Sequence, residues 1–182
     1  MPRFVALLKG VNVGRAKRVP MADFRALLTA LGYDQVQTLL NSGNAVFKSA
    51  GRSTTAHATR IHAALLDKLG VDAAVTVKSA NEMAAIESGN ALADIAANPS
   101  HLLVAFTSDA QSLAALTTLS ALVHPPEHLH LGAHALYLWC ADGILESKAA
   151  EALLGKPGKA ATTRNMATVM KITALLHASP DC

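Results

Sequence analysis

Two segments decide how this chain is read: L-K-G-V-N-V-G-R-A-K-R-V-P-M from Leu8 to Met21, and T-L-L-N-S-G-N-A-V-F from Thr38 to Phe47. Upstream, Arg3 to Lys9 is a short apolar run bounded by Gly10, which predicts a buried strand. Gly10-Val11-Asn12-Val13-Gly14 then reads as a loop, because glycine tolerates positive φ. Pro20 suits the first position of a helix. Met21, Phe24, Leu27, Leu28 and Leu31 share one helical face, and Gly32 ends the helix. Strands over Gln35–Leu40 and Ala45–Lys48 flank Asn41-Ser42-Gly43-Asn44, a composition that makes a hairpin turn. Ser53 caps a second helix, with an apolar stripe at Ile61, Leu65 and Leu69 and a stop at Gly70. Val71, Ala73, Val75 and Val77 alternate as a fourth strand. The order β-α-β-β-α-β is the split βαβ arrangement of ferredoxin-like folds. Ser79 and Glu82 are spaced as a capping box for a short helix ending near Gly89.

The pattern fades between Asn90 and Ser100 and then begins again, which predicts two halves, residues 1–90 and 91–182. His101 to Thr107 reads as a strand. Ser108 or Asp109 caps a helix carrying Leu113, Leu116 and Leu119. His124-Pro125-Pro126 breaks the chain. Strands follow over His128–Leu131 and His134–Cys140, and a helix over Ile144–Leu154 is stopped by Gly155, Pro157 and Gly158. A last helix is expected over Arg164–His177. The fold class is therefore α+β: two ferredoxin-like halves with antiparallel sheets, the second with its last strand replaced by a helix.

With 182 residues the chain can bury a core without disulfide or metal support. Charged residues make up 16%, too few of them to sustain long disordered tails. The net charge of +3 is mild and by itself points to no nucleic-acid partner. Cys140 lies in an apolar strand and Cys182 is the last residue, a usage that suits free thiols in a reducing cytoplasm. The N-terminus carries no signal-peptide pattern, and no apolar stretch reaches membrane-spanning length, so a cytoplasmic protein without membrane partners is expected.

Five segments, taken together and in order, resemble a bacterial family known as domain of unknown function 1697. They are F-V-A-L-L-K-G-V-N-V-G (Phe4–Gly14), V-P-M-A-D-F (Val19–Phe24), L-N-S-G-N-A-V-F (Leu40–Phe47), Ser147-Lys148, and T-T-R-N-M-A-T-V-M-K (Thr162–Lys171). The resemblance implies a cytoplasmic α+β protein of two ferredoxin-like halves and implies no reaction. Met166 and Ala167 stand where relatives commonly have Trp and Asn, and Arg15 stands where a second glycine is usual.

The chemistry worth weighing is anion binding. A loop between a strand and a helix presents backbone N–H groups to phosphate or carboxylate. Lys9, Arg15, Lys17 and Arg18 supply charge around it. Thr163-Arg164-Asn165 at the expected start of the last helix adds an arginine where the helix dipole favours a bound anion. The expected ligand-binding set is Lys9, Asn12, Arg15, Asn41, Ser42, Asn44, Lys148, Arg164 and Asn165, holding a small anionic or phosphorylated ligand between the two halves. The plainer reading makes these turn and cap residues. The loop is neither a nucleotide-triphosphate loop nor a dinucleotide fingerprint, since G-K-[ST] and G-x-G-x-x-G are both absent. Tyr137 and Trp139 share a strand face with His128 and His130, an aromatic surface on which RNA bases stack in other ferredoxin-like domains. Of the histidines at 124, 128, 130 and 134, His128 and His130 share a strand face while His134 falls on the opposite one, and no carboxylate or cysteine completes the set, so no metal site is predicted. Ser147-Lys148 reads as a helix start. No catalytic residue and no cofactor is assigned, and an enzyme acting on the same anion remains an alternative.

Overall fold

The computed structural model describes residues 1–15 and 17–178. Cys182 lies outside them. The chain divides into two units, Met1–Asn81 with the chain from Ile172 onward, and Glu82–Lys171.

The first unit contains β1 (Arg3–Leu8), α1 (Met21–Ala30), β2 (Asp34–Leu39), β3 (Asn44–Lys48), α2 (Thr54–Leu69) and β4 (Val75–Ser79). Its antiparallel sheet has the order β2-β3-β1-β4. The strand register puts Phe4 opposite Phe47 and Ala6 opposite Ala45. Those residues, with Leu8 and Val77, pack against Phe24, Leu28, Ile61 and Leu65 of the helices. Val5, Leu7 and Val46 point the other way and are also buried. This double burial is why β1 reads as an unbroken apolar run rather than an alternating one. Ser53 caps α2 through a hydrogen bond accepted from the Ala56 amide, and Gly70 ends it in the left-handed region. The fourth strand begins later than the alternation predicts: Val71 and Ala73 are buried in the approach, and pairing with β1 runs over Val75–Ser79.

The second unit contains most of α3 (Ala80–Ser88), then β5 (Leu102–Phe106), α4 (Ala110–Ala115), β6 (His128–Leu131), β7 (Leu136–Trp139), α5 (Lys148–Leu154) and β8 (Thr162–Asn165). α6 (Met166–His177) contributes residues to both units. The sheet order is β6-β7-β5-β8, matching that of the first unit. The expectation that a helix replaces the last strand is therefore corrected. β8 pairs antiparallel with β5, Phe106 opposite Thr162 and Leu103 opposite Asn165. Four residues running directly into a helix leave too short a period to be read as a strand. Leu103, Ala105, Leu136 and Leu138 pack with Leu113, Leu116, Ala150 and Leu153 to form this unit's core. Asp109 caps α4, which tightens into a 3-10 turn over Leu116–Leu122. The helix expected from Ile144 is a 3-10 turn over Ile144–Glu146, followed by α5 with Ser147 as its cap.

Among the described residues no helix is long and apolar enough to cross a membrane.

Candidate functional site

In the first unit, β1 delivers the chain into the Lys9–Val19 loop. The Leu8 amide donates to the Gly43 carbonyl at 2.8 Å, and the Lys9 amide donates to Ala74 at 3.0 Å. The loop root is therefore tied both to the β2–β3 hairpin and to the approach to β4. Gly10, Asn12 and Gly14 all have positive φ, at 66°, 57° and 60°. These left-handed residues turn the backbone sharply at alternate positions, and the Asn12 amide donates to the Lys17 carbonyl at 3.0 Å.

Asn12 holds this shape. Its Nδ2 donates to the Val19 carbonyl at 2.8 Å and to the Asn41 carbonyl at 2.7 Å, while its Oδ1 accepts from the Val19 amide at 2.8 Å. Both of its donor hydrogens are used. Asn12 thus closes the loop and clamps it to the hairpin, and it is a scaffold residue, not the ligand contact expected from sequence. The Val11 and Val19 side chains are buried beneath the loop. Gly43 is required where the two segments touch: its φ is +85°, and an added Cβ would lie 2.7 Å from Leu8 Cβ and 2.8 Å from Val11 Cγ2. Asn44, 1% exposed, donates from Nδ2 to the Leu39 carbonyl and to Ser42 Oγ, each at 2.9 Å. Asn41 is exposed and joins the site through its carbonyl.

Lys9 is half-buried at the loop root, and burial lowers its ammonium pKa. Arg15, Lys17 and Arg18 are exposed along the loop. Among the described residues none of these three has a carboxylate within ion-pair distance. Asp72, exposed and hydrogen-bonded to His62 at 2.8 Å, has its pKa lowered first by that bond and then by the charges of His62 and Lys17. The loop opens onto α1, whose N-terminal turn has no side-chain cap at Pro20.

The residues expected to contribute from the other half lie in the second unit. Arg164 sits on β8, not at a helix start, opposite Val104. It is 9% exposed, its Nη1 donates to the Thr163 carbonyl at 2.9 Å, and burial pushes its pKa down to about 10. With β8 running through Asn165 and α6 starting at Met166, this arginine lies in a strand and not at the positive end of a helix dipole. Asn165 accepts from the Thr168 amide at 2.9 Å, so it caps α6. Lys148 is exposed in the first turn of α5, behind Ser147, whose Oγ accepts from the Ala150 amide at 3.1 Å.

The aromatic sheet face has the register expected, His130 opposite Tyr137 and His128 opposite Trp139. Tyr137 is 1% exposed, however, and its hydroxyl donates to the Ile86 carbonyl of α3. A ring closed over in this way offers no face to a base. Among the described residues no cluster of three His, Cys, Asp or Glu side chains is placed to hold a metal. Cys140 is buried beside Ser147, and burial pushes its thiol up to about 11.

Sequence reading passed over a further buried polar group, His57. Its Nδ1 accepts from the Tyr33 hydroxyl at 2.9 Å, and its Nε2 donates to the Gly51 carbonyl at 3.0 Å, among the rings of Phe4 and Phe47. The signal was present: His57 stands four residues before Ile61 and eight before Leu65, on the same apolar stripe of α2.

A family model described as "Protein of unknown function (DUF1697)" matches residues 1–137. Among solved structures, the chain is similar to the conserved bacterial protein SP0830 from Streptococcus pneumoniae. The identity is 24% and the TM-score 0.76, covering 96% of this chain and 98% of that one. At this identity the likeness shows the fold alone. No match is found among curated proteins.

Proposed function

The chain belongs to the DUF1697 family, and we propose that it binds a small anionic or phosphorylated ligand on the Lys9–Arg18 loop of its first unit. One observation carries this reading: the alternate left-handed residues Gly10, Asn12 and Gly14 are locked by the Asn12 side chain, with the exposed cations Arg15 and Lys17 beside them. Amides held in such a loop pay little ordering entropy when an anion arrives. Arg15, Lys17 and Arg18 add long-range attraction, and Lys9 adds a charge at the root, where partial burial strengthens its field. The uncapped first turn of α1 brings further amide donors to the same end of the loop. Lys148, Arg164 and Asn165 are not part of this site as proposed. Asn165 is committed to a helix cap and Arg164 is buried in β8.

Thermal unfolding with inorganic phosphate and pyrophosphate tests the proposal, with sodium chloride as the ionic-strength control. Binding raises the melting temperature with ligand concentration, and the effect shrinks as salt rises. It is lost in the double variant Arg15→Ala/Lys17→Ala, whose exposed side chains leave the fold intact. A native protein indifferent to both ligands, or a double variant shifted as much as native, sinks it.

A further inference from the structure

Charge is divided unevenly along this chain. Met1–Asn81 carries eleven Lys and Arg against four Asp and Glu, a balance of +7, while Glu82–Lys171 carries five against eight, a balance of −3. The first unit is therefore drawn to polyanions and the second is repelled by them. Four of the first unit's cations, Lys9, Arg15, Lys17 and Arg18, lie on one loop.

Two aliphatic side chains stand in water beside them. Val13 is 68% exposed on the loop, and Leu40 is 47% exposed on the β2–β3 turn. Their chain neighbours Asn12 and Asn41 are joined by the 2.7 Å hydrogen bond that clamps one turn to the other. Leu40 also holds a left-handed φ of 57°, which a bulky side chain adopts only under strain. Neither burial nor turn geometry accounts for a leucine there, whereas contact with an apolar partner does.

The cations set the partner's charge, and the apolar pair sets its kind. A reader of single-stranded nucleic acid needs rings on which bases stack. Phe4, Phe24, Tyr33 and Phe47 of the first unit are all buried, and the chain's single Trp belongs to the acidic second unit. Aliphatic side chains among Lys and Arg suit a bilayer surface instead. The cations sit at anionic headgroups, and the aliphatic tips enter the acyl boundary.

We propose, resting on the anion reading of this loop, that the Lys9–Arg18 loop and the Leu40–Gly43 turn form a docking tip for an anionic lipid bilayer, with headgroup phosphates as the bound anions. Such a tip needs no membrane-spanning stretch, the absence of which led to the expectation of no membrane partner. Charge and apolar contact, each weak alone, combine into a reversible attachment.

Flotation of the full chain with vesicles tests this, comparing phosphatidylcholine alone with mixtures of phosphatidylcholine and phosphatidylserine. The native chain should float with the mixed vesicles and not with the neutral ones, and salt should release it. Arg15→Ala/Lys17→Ala should weaken binding at least about ten-fold, since two cations are lost. Val13→Ser/Leu40→Asn should weaken it at least about three-fold and leave the response to inorganic phosphate as in native. This variant should melt no lower than native, because both positions are exposed and Asn takes the left-handed region readily. Lys48→Ala/Arg52→Ala is the control. Lys48 pairs with Arg3 at the far end of the six-residue strand β1. That is about 20 Å from the loop and about two Debye lengths, so binding should stay within about two-fold of native.

A native chain that ignores mixed vesicles overturns the proposal. If its melting temperature still rises with phosphate, the anion reading survives; if not, both fall. An apolar variant that floats like native overturns it, and so does a control variant weakened as much as the loop variant, because charge alone then explains the attachment. Release of the native chain from mixed vesicles by single-stranded RNA at equal phosphate overturns it too, and gives the cations to nucleic acid.

Discussion

Asn12 and Gly43 show how much a single position can hold in this chain. Asn12→Ala deletes three hydrogen bonds of 2.7 to 2.8 Å and exposes a left-handed alanine to strain. At about 1 kcal/mol net per bond, a loss of about 3 kcal/mol is expected in urea unfolding. Asn12→Asp should lose nearly as much, because it keeps the acceptor and removes both donors. Gly43→Ala meets Leu8 and Val11 closer than real Cβ contacts allow and carries the left-handed penalty too, so a cost of at least about 2 kcal/mol is expected. Tyr137 and Cys140 set the alkaline limit. Burial raises their folded pKa values to about 12 and about 11, from ordinary values of 10.0 and 9.0. For acids shifted this way the folded state holds its protons longer than the unfolded state. Their contribution is complete below the unfolded pKa and is lost as pH rises through the window to the folded one. Native stability should therefore decline from about pH 9 upward, more steeply than in Tyr137→Phe, as read by denaturant midpoints across a pH series. In the folded protein at pH 8 the protonated, buried Cys140 should resist alkylation that it undergoes in urea.

At the scale of elements, caps are the cheapest points to probe. Asn165→Ala frees the Thr168 amide at the start of α6 and should cost about 1 kcal/mol, while Asn165→Asp should cost little, since it keeps the acceptor and suits the dipole. At the other end of α6, Arg3 donates to the carbonyls of Leu175, Leu176 and Ala178. Arg3→Ala should therefore raise amide exchange in the last turn of α6 while the exchange of β1 is kept, as read by hydrogen exchange. The boundary between β8 and α6 was misread from sequence, as were the start of β4 and the 3-10 turn over Ile144–Glu146. Thr162 to Asn165 offers a single strand-length alternation, and Asn165 satisfies both states: it is the last strand residue and the first cap. Elsewhere periodicity sufficed. The α1 stripe of Phe24, Leu27 and Leu28 and the α2 stripe of Ile61 and Leu65 are buried as the spacing predicts. The two hairpins, β2–β3 and β6–β7, also pair as expected, around turns that contain Gly43 and Gly132.

At the scale of the whole chain, Cys140 is a free thiol and no metal-ligating cluster lies among the described residues, so treatment with a chelator should leave the melting temperature unchanged. The closing strand β8 emerged only in the tertiary structure, while the amino-acid sequence by itself determined the apolar faces, the split βαβ plan of the first unit and its repeat as far as α5. Those follow from interactions within a few residues of one another, where side-chain period, capping and turn preference act. It also marked the Lys9–Arg18 loop as unusual by its glycines and cations. Only the tertiary structure decided what the polar residues do. Asn12 reaches 29 residues along the chain to Asn41, Tyr137 reaches 51 to Ile86, and Arg3 reaches to the last turn of α6. A side-chain amide or guanidinium has the same letter whether it faces a ligand or a distant carbonyl. The difference is set by which backbone groups the folded sheets leave unpaired nearby, and no local spacing encodes that.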